Sequence, residues 1–188
     1  MKPDRQETLA SLALTRIRGI GAHTARALLA AAGSAARLFE PGAAAQLNLP
    51  PGSEERLKSL LADSEEAFRY ARAAWETAER GGYRIIPYWD GDYPERMREC
   101  CDAPPVLYYR GTASMNAAHS VAIVGTRRMT PYGASLCEAF VRDLAQLCPG
   151  TLVVSGLAYG VDICAHRAAL ACGLPTIGVL AHGIDSIY

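Results

Sequence analysis

The C-terminal part of the chain repeats a short apolar segment that is followed each time by a loop containing glycine. The apolar segments cover residues 121–124, 152–154 and 176–180, and the residues between them have the spacing of helices over 134–148 and 162–172. Apolar runs without polar alternation are typical of strands buried on both faces of a parallel sheet. The repeat therefore predicts an α/β fold in which helices flank a parallel sheet. The residues expected to pack one side of the first helix are Leu136, Phe140, Val141, Leu144 and Leu147.

Three glycine loops follow these strands, at the edge where open parallel sheets bind their ligands. Loops at that edge lead into helix N-termini, whose free N–H groups favour anions. A single glycine is explained by a sharp turn, but three such loops on one edge favour a phosphate or nucleotide site. The residues predicted for this site are Gly125, Thr126, Arg127, Arg128, Ser155, Gly156, Tyr159, Gly160, His182 and Gly183.

Side chains of the first two loops suit the binding of phosphates and bases. A guanidinium grips phosphate oxygens through two parallel hydrogen bonds. Because Arg127 and Arg128 are neighbours that point differently, we expect one of them to face the site and the other to be solvated. Thr126 and Ser155 offer hydroxyls to a ligand, and Tyr132 or Tyr159 is available to stack a base.

The same loops indicate neither catalysis nor a bound cofactor. Their spacing differs from G-x-G-x-x-G, which disfavours a dinucleotide. Asp162, expected to be a helix N-cap, and Asp185 have no acidic or basic partner in the sequence, and we interpret His166 as structural. The six cysteines lack zinc-ligand spacing. We predict reduced, mostly buried thiols, no metal site and no catalytic residue.

Residues 1–80 are predicted to be helical throughout. A turn at residues 50–52 precedes one long helix, which begins at Ser53 and ends at residues 81–82. The net charge of the chain is zero, but the stretch between the first two glutamates contains only basic charges. We therefore expect a positive surface on this part of the chain, which is a modest indication of nucleic-acid binding. Its arginines are Arg16, Arg18, Arg26 and Arg37.

Two short apolar segments, residues 84–87 and 106–110, lie between the helical part and the repeat, with a short helix predicted after Tyr93-Pro94. Either segment is a candidate to add a strand to the edge of the sheet. The predicted domains are a helical domain over 1–80 and a sheet domain over 81–188, which divides into lead-in strands over 81–120 and strand-loop-helix repeats over 121–188.

No membrane segment is predicted. The longest apolar runs are far shorter than the roughly 20 residues of a membrane helix. Residues 1–7 alternate charges and lack the apolar core of a secretory signal. We therefore expect the protein in the cytoplasm.

Several motifs of the chain resemble the DprA (Smf) DNA processing family, and together they are specific. The match extends over about residues 84–188. The motifs are VAIVGTR at 121–127, SGLAYGVD at 155–162, Ala165-His166 and VLAHGIDSIY at 179–188, with DYP at 92–94 and PPVLYYRG at 104–111 leading into them.

The resemblance implies a Rossmann-like domain that binds single-stranded DNA without sequence preference and helps to load a RecA-type recombinase during natural transformation. Arg127 corresponds to the arginine of the family's Gly-Ser-Arg loop, in which Thr126 keeps the hydroxyl of the usual serine. Tyr159 stands where the family frequently has arginine. The resemblance also implies that the sheet continues beyond Tyr188, with further basic contacts and a homodimer surface, so the domain is incomplete at the C-terminus of this chain.

The N-terminal domain resembles the small all-α, helix-hairpin-helix (SAM-like) module that many family members carry, with residues 18–25 as its hairpin. Such a hairpin either offers backbone N–H groups to phosphate or is only a tight turn between helices. Two other functions stay open. One is a nucleotide-binding enzyme of the phosphoribohydrolase-related group, although its Pro-Gly-Gly-x-Gly-Thr signature is absent from these residues. The other is a protein-interaction module that uses the helical domain.

Overall fold

The computed structural model describes residues 4–47, 52–62 and 64–184. The chain forms two compact units, Met1–Gly111 (unit 1) and Thr112–Tyr188 (unit 2). Among the helices within the described ranges, none is long and apolar enough to cross a membrane. Most of the turn predicted at 50–52 and the end of the last motif, residues 185–188, lie outside the described residues.

Unit 1 is built mainly of helices. They are α1 (Arg5–Leu14), α2 (Ala22–Ala32), α3 (Ala35–Leu38), α4 (Ala43–Gln46), α5 (Ser53–Ala62) and α6 (Glu65–Gly81). The prediction of one long helix from Ser53 is wrong, since α5 and α6 are separate. Glu65 and Glu66 provide a second acidic first turn, which stabilises a new helix start. The end of α6 is as predicted, with Gly82 as its left-handed C-cap.

The core of unit 1 forms around α1, which packs against α3 and α6. Its fully buried leucines are Leu12, Leu14, Leu29 and Leu38. The Glu7 carboxylate of α1 accepts hydrogen bonds from the Ser34 hydroxyl at 2.6 Å and from the Ala35 and Ala36 amides at 2.6 and 3.1 Å. Glu7 therefore satisfies the free N–H groups at the start of α3 and joins the two helices.

The two lead-in strands, β1 (Arg84–Pro87) and β2 (Val106–Tyr109), pair with each other in an antiparallel two-stranded sheet, and α7 (Glu95–Arg98) lies between them in the chain. They do not extend the parallel sheet, so that expectation is wrong. The reason is that β1 packs against α1 and α6, where Ile85 and Ile86 are buried. The compact units thus divide after Gly111, while a domain boundary at 80/81 stays a prediction.

Unit 2 contains the predicted α/β repeat. Its elements are β3 (Ser120–Ala122), α8 (Pro131–Leu147), β4 (Leu152–Ser155), α9 (Val161–Ala171) and β5 (Thr176–Gly178). The strands form one parallel sheet in the order β3-β4-β5, with Val121 opposite Val153 and Val154 opposite Ile177. Both crossovers run in the same direction, so the right-handed rule puts α8 and α9 on one face, and these helices pack together. The predicted parallel sheet with flanking helices is confirmed.

Burial in unit 2 is less complete than predicted. A small cluster that includes Val141 of α8 and Val153 of β4 forms its core. Leu136, Phe140 and Leu147 of α8 are exposed, so the expectation that they pack with Val141 is wrong. Within its described residues, unit 2 supplies helices for one sheet face, and α8 meets α9 through the side that carries Val141. Strands β3 and β5 are accordingly only partly buried.

The cysteines are free thiols, but half of them lie at the surface. Cys164 is buried, and burial together with a hydrogen bond to Cys164 raises the pKa of Cys137 to about 11. The expectation of mostly buried thiols is wrong for Cys100, Cys101 and Cys148, which are exposed. No group of three or more potential ligands in the described part of the chain is arranged to hold a metal ion.

Candidate functional site

The loops that follow β3 and β4 interlock through their backbones. The Val161 amide, at the start of α9, donates to the Thr126 carbonyl at 3.2 Å. Gly160 has φ +85°, and a Cβ at this position would overlap the Thr126 carbonyl. A Cβ on Gly125 would lie only 2.6 Å from Val161 Cγ2. Glycine at 125 and 160 is therefore required for the two loops to approach this closely.

Ser155 joins the end of β4 to the residue that follows β3. Its buried hydroxyl donates to the Ile123 carbonyl at 2.6 Å, and the Ile123 amide donates to Val154 O at 2.9 Å. The Ser155 carbonyl accepts from the Val179 amide at 2.8 Å, beyond the end of β5. The hydroxyl predicted to contact a ligand is thus engaged in the sheet, where it fixes the starting points of the loops.

The third loop follows β5, the strand whose last residue contacts the second loop. The Leu157 side chain lies directly over Gly178, and Leu157 itself has a positive φ of 60°. His182 Nδ1 lies 2.9 Å from the Gly183 carbonyl. The structure therefore brings the first two predicted loops into direct contact, while His182 and Gly183 follow β5 at the same end of the sheet.

The charged and aromatic side chains predicted for the site are at the surface. Arg127, Arg128 and Tyr159 are exposed, and neither arginine forms an ion pair with a described residue. The Thr126 hydroxyl accepts from the Arg128 amide at 3.1 Å and so shapes the turn. Thr130 then caps α8 by accepting from the Gly133 amide at 3.2 Å. The positive charges next to the interlocked loops are accordingly available to an anion.

A buried carboxylate, that of Asp162, lies at the base of the second loop. Asp162 occupies the first turn of α9, whereas the N-cap is Gly160, so the prediction of Asp162 as the cap is wrong. The reason is that Gly160, with its positive φ, makes the sharp entry into the helix. A Cβ on Gly156 would lie 2.9 Å from Asp162 Oδ2. The buried carboxylate therefore leaves no room for a side chain at residue 156.

His166 links α9 to the sheet. The Thr176 hydroxyl donates to the Val153 carbonyl at 2.9 Å, so it accepts from His166 Nδ1, 2.6 Å away. Burial lowers the pKa of His166, and the nearby Asp162 opposes that effect. A neutral imidazole held against β5 agrees with the structural interpretation of this residue.

Two residues that shape the site are not found from the sequence. Val161 supplies both the amide that meets Thr126 and the side chain that excludes a Cβ at Gly125. A glycine directly before a helix, as at Gly160, is the signal that points to such a close approach. The positive φ of Leu157 has no signal in the sequence, because residues with a Cβ rarely adopt it.

Known proteins are similar to this chain over its C-terminal half in particular. The model of the family described as DNA recombination-mediator protein A matches residues 84–188. DNA processing protein DprA of Streptococcus pneumoniae is 38% identical over 99 residues, which are 53% of this chain and 34% of that protein. DNA processing protein DprA of Bacillus subtilis is 33% identical over 108 residues, 57% of this chain and 36% of that protein. The chain thus spans about a third of the length of these relatives.

A solved structure has the same fold. The X-ray structure of DNA processing protein A (DprA) from Streptococcus pneumoniae aligns with a TM-score of 0.62 and 24% sequence identity. The alignment covers 100% of this chain and 61% of the other. At this identity the likeness concerns the fold, and it extends to both the helical part and the sheet.

Proposed function

The chain belongs to the DNA recombination-mediator protein A family, and from this premise we propose that its glycine-loop edge binds single-stranded DNA without sequence preference. The observation that carries the proposal is the interlocking of the loops at Thr126 and Gly160 next to two exposed arginines. A rigid backbone edge with free positive charge suits a phosphate chain. Contacts to phosphates hold a strand without reading its sequence.

Each residue of the edge has a distinct part in this binding. Arg127 grips phosphate oxygens of the strand through its planar guanidinium, and Arg128 adds positive charge at the rim. Gly125, Gly156 and Gly160 allow the loops to pack closely and so hold the exposed arginines at this edge. Tyr159, with 73% of its surface exposed, stacks on a base. His182 and Gly183 extend the binding edge beyond β5.

The wider role proposed here is that of a mediator. The protein receives a single strand, performs no chemistry on it and passes it to a RecA-type recombinase in the cytoplasm. It acts as a homodimer. A recombinase assay on DNA coated with a single-strand-binding protein tests the transfer step, and analytical ultracentrifugation of the protein tests the dimer.

Binding of fluorescent oligo-dT to the whole chain tests the DNA site. Arg127→Ala removes a charge-assisted contact, so we expect affinity to fall about tenfold or more. We also expect the slope of log affinity against log salt to fall by about 0.7 for each lost phosphate contact. Arg142→Ala is the matched control, because Arg142 is exposed on α8 about 16 Å along the helix from Pro131. Equal effects of the two substitutions would reject the site.

The enzyme hypothesis makes a different prediction for the same edge. A nucleotide-binding enzyme would hold one nucleoside monophosphate there and release its base. Incubation of the chain with nucleoside monophosphates, followed by chromatography of the products, distinguishes the two functions. We expect the nucleotide to remain intact. We also expect it not to compete with oligo-dT when its concentration is near the dissociation constant of the oligonucleotide, whereas turnover of the nucleotide would favour the enzyme.

A further inference from the structure

A cluster of arginines and tyrosines lies on the surface of unit 1, away from the glycine loops in the chain. We call it the basic-aromatic patch and define it by Arg16, Arg18, Tyr70 and Tyr108. Both arginines are exposed, and the two tyrosines are 40% and 43% exposed. The patch combines residues after α1 with residues of α6 and β2. The fold therefore assembles it from segments that are distant in sequence.

Contacts within the patch hold its side chains in place. The Arg16 guanidinium lies over the Tyr70 ring, 4.5 Å from its centroid. Burial, together with an interaction with the Tyr70 side chain, raises the pKa of Tyr108. The largely buried Tyr83 supports Tyr108 in an edge-to-face contact at 6.1 Å. The surface that the patch offers to a ligand therefore includes ring carbon and guanidinium.

The patch itself carries positive charge, from Arg16 and Arg18. No acidic residue lies between Glu7 and Glu40 in the sequence. Arg16 forms no ion pair with a described residue, so its charge is not neutralised within that part of the chain. Glu66 is the acidic residue of α6 one turn before Tyr70, on the same helix face. The patch thus contains two exposed arginines, and α6 places the Glu66 carboxylate one turn before Tyr70.

We propose that the basic-aromatic patch is a second contact surface for single-stranded DNA, in which a base stacks on Tyr108 and Arg16 holds a neighbouring phosphate. The inference takes its ligand class from the proposed function. Within that class the chemistry favours a single strand over a duplex, since only a single strand presents unstacked base faces together with phosphates. A tyrosine ring beside a guanidinium provides partners for both groups.

Binding of oligo-dT by the whole chain tests the patch. Tyr108→Ala removes the stacking surface, and we expect about tenfold weaker binding. Arg16→Ala should weaken binding several-fold and lower the salt slope by about 0.7. Trp89→Ala is the matched aromatic control, because Trp89 is also 43% exposed. Arg72→Ala is the matched charge control, because Arg72 is exposed on α6 two residues from Tyr70 and faces another side.

A conservative variant separates stacking from a loss of structure. Tyr108→Phe keeps the ring and loses the hydroxyl, so we expect it to bind oligo-dT as the parent chain does. Glu66→Gln removes the nearby negative charge and should strengthen binding slightly. An oligo-dT carrying 5-iodouracil should crosslink to Tyr108 on irradiation, and digestion with mass spectrometry identifies the site. Unchanged binding by both Tyr108→Ala and Arg16→Ala, or weakening equal to that of the controls, overturns the inference.

The outcomes also distinguish the patch from the glycine-loop edge. If Arg127→Ala weakens binding and the patch variants do not, the patch is rejected and the proposed function stands. If the patch variants weaken binding and Arg127→Ala does not, the patch stands and the assignment of the edge is rejected. A parent chain that binds no oligo-dT rejects both.

Discussion

The two compact units differ in how completely they bury their apolar residues. In unit 1, Leu12 and Leu14 of α1 are fully buried, because α1 is covered by α3, α6 and the lead-in strands. In unit 2, α8 buries Val141 but leaves Leu147 80% exposed. The difference follows from the number of covering layers. Unit 1 surrounds its central helix, whereas unit 2 supplies helices for one face of its sheet within the described residues.

This contrast bears on how the candidate DNA site is held. The core cluster of unit 2 is small and rich in alanine. The site therefore depends on short-range backbone contacts between loops, such as Val161 to Thr126, and on the Ser155 hydroxyl bond to Ile123. We expect stability in unit 1 to respond mainly to cavities, and stability in unit 2 to respond mainly to changes in its loops.

The largest expected effect is the loss of a buried leucine in unit 1. Leu12→Ala should destabilise unit 1 by about 2–5 kcal/mol, because it leaves a cavity among packed helices. Leu147→Ala in unit 2 should change stability by less than about 0.5 kcal/mol, because this side chain is mostly in water. Urea unfolding monitored by hydrogen exchange in each unit measures both. Equal destabilisation by the two substitutions would show that α8 is covered in solution.

A smaller effect is expected for the glycine at which the loops of unit 2 interlock. Gly160→Ala should lower the free energy of unfolding of unit 2 by about 1–3 kcal/mol, because alanine would have to adopt a positive φ and its Cβ would overlap the Thr126 carbonyl. Gly173→Ala is the matched control, since Gly173 has φ +72° and open space around its Cβ position. The excess cost at Gly160 measures the contact between loops. If both variants lose the same stability, the loops do not meet as described.

The smallest expected effect is a pH dependence within unit 2. The pKa of folded His166 lies below its ordinary value of 6.5, because burial disfavours the charged imidazole. As pH falls below 6.5, the unfolded chain gains a proton that the folded histidine takes up less readily, so stability is lost on the acid side. Unfolding of the parent chain and of His166→Gln at pH 7.5 and 5.5 should show a weaker pH dependence in the variant. An equal dependence would mean that His166 does not contribute.

Local sequence patterns predicted most elements of the fold, and the predictions of strand placement and helix burial that were wrong have a common cause. The three apolar runs after residue 120 became parallel strands, and Gly82 ended α6 as expected. The prediction for the lead-in strands was wrong because an apolar run does not specify which surface it will cover. Ile85 of β1 is buried in unit 1 and not in the parallel sheet. The wrong prediction that Leu136 and Leu147 of α8 are buried has the same cause. Periodicity defines an apolar face, but tertiary packing decides whether that face is buried.

For the candidate site too, some features could be predicted from the sequence and others depend on the fold. Strand ends and glycines located the edge from the sequence, because parallel topology fixes where such loops gather. The engagement of the Ser155 hydroxyl with Ile123 was not predictable, since it depends on the distance between β3 and β4. The basic-aromatic patch was indicated only by its arginines. Its tyrosines lie 54 and 92 residues after Arg16 in the sequence and join it only through the fold.

Amide hydrogen exchange with and without saturating oligo-dT tests the central claim most directly, because it reports on both units in one experiment. The glycine-loop edge should be protected, with slower exchange over residues 125–130 and 156–163, and Arg127→Ala should reduce that protection at equal oligonucleotide concentration. Slower exchange confined to unit 1, with the loops at Gly125 and Gly160 unchanged, would contradict the assignment of the DNA site.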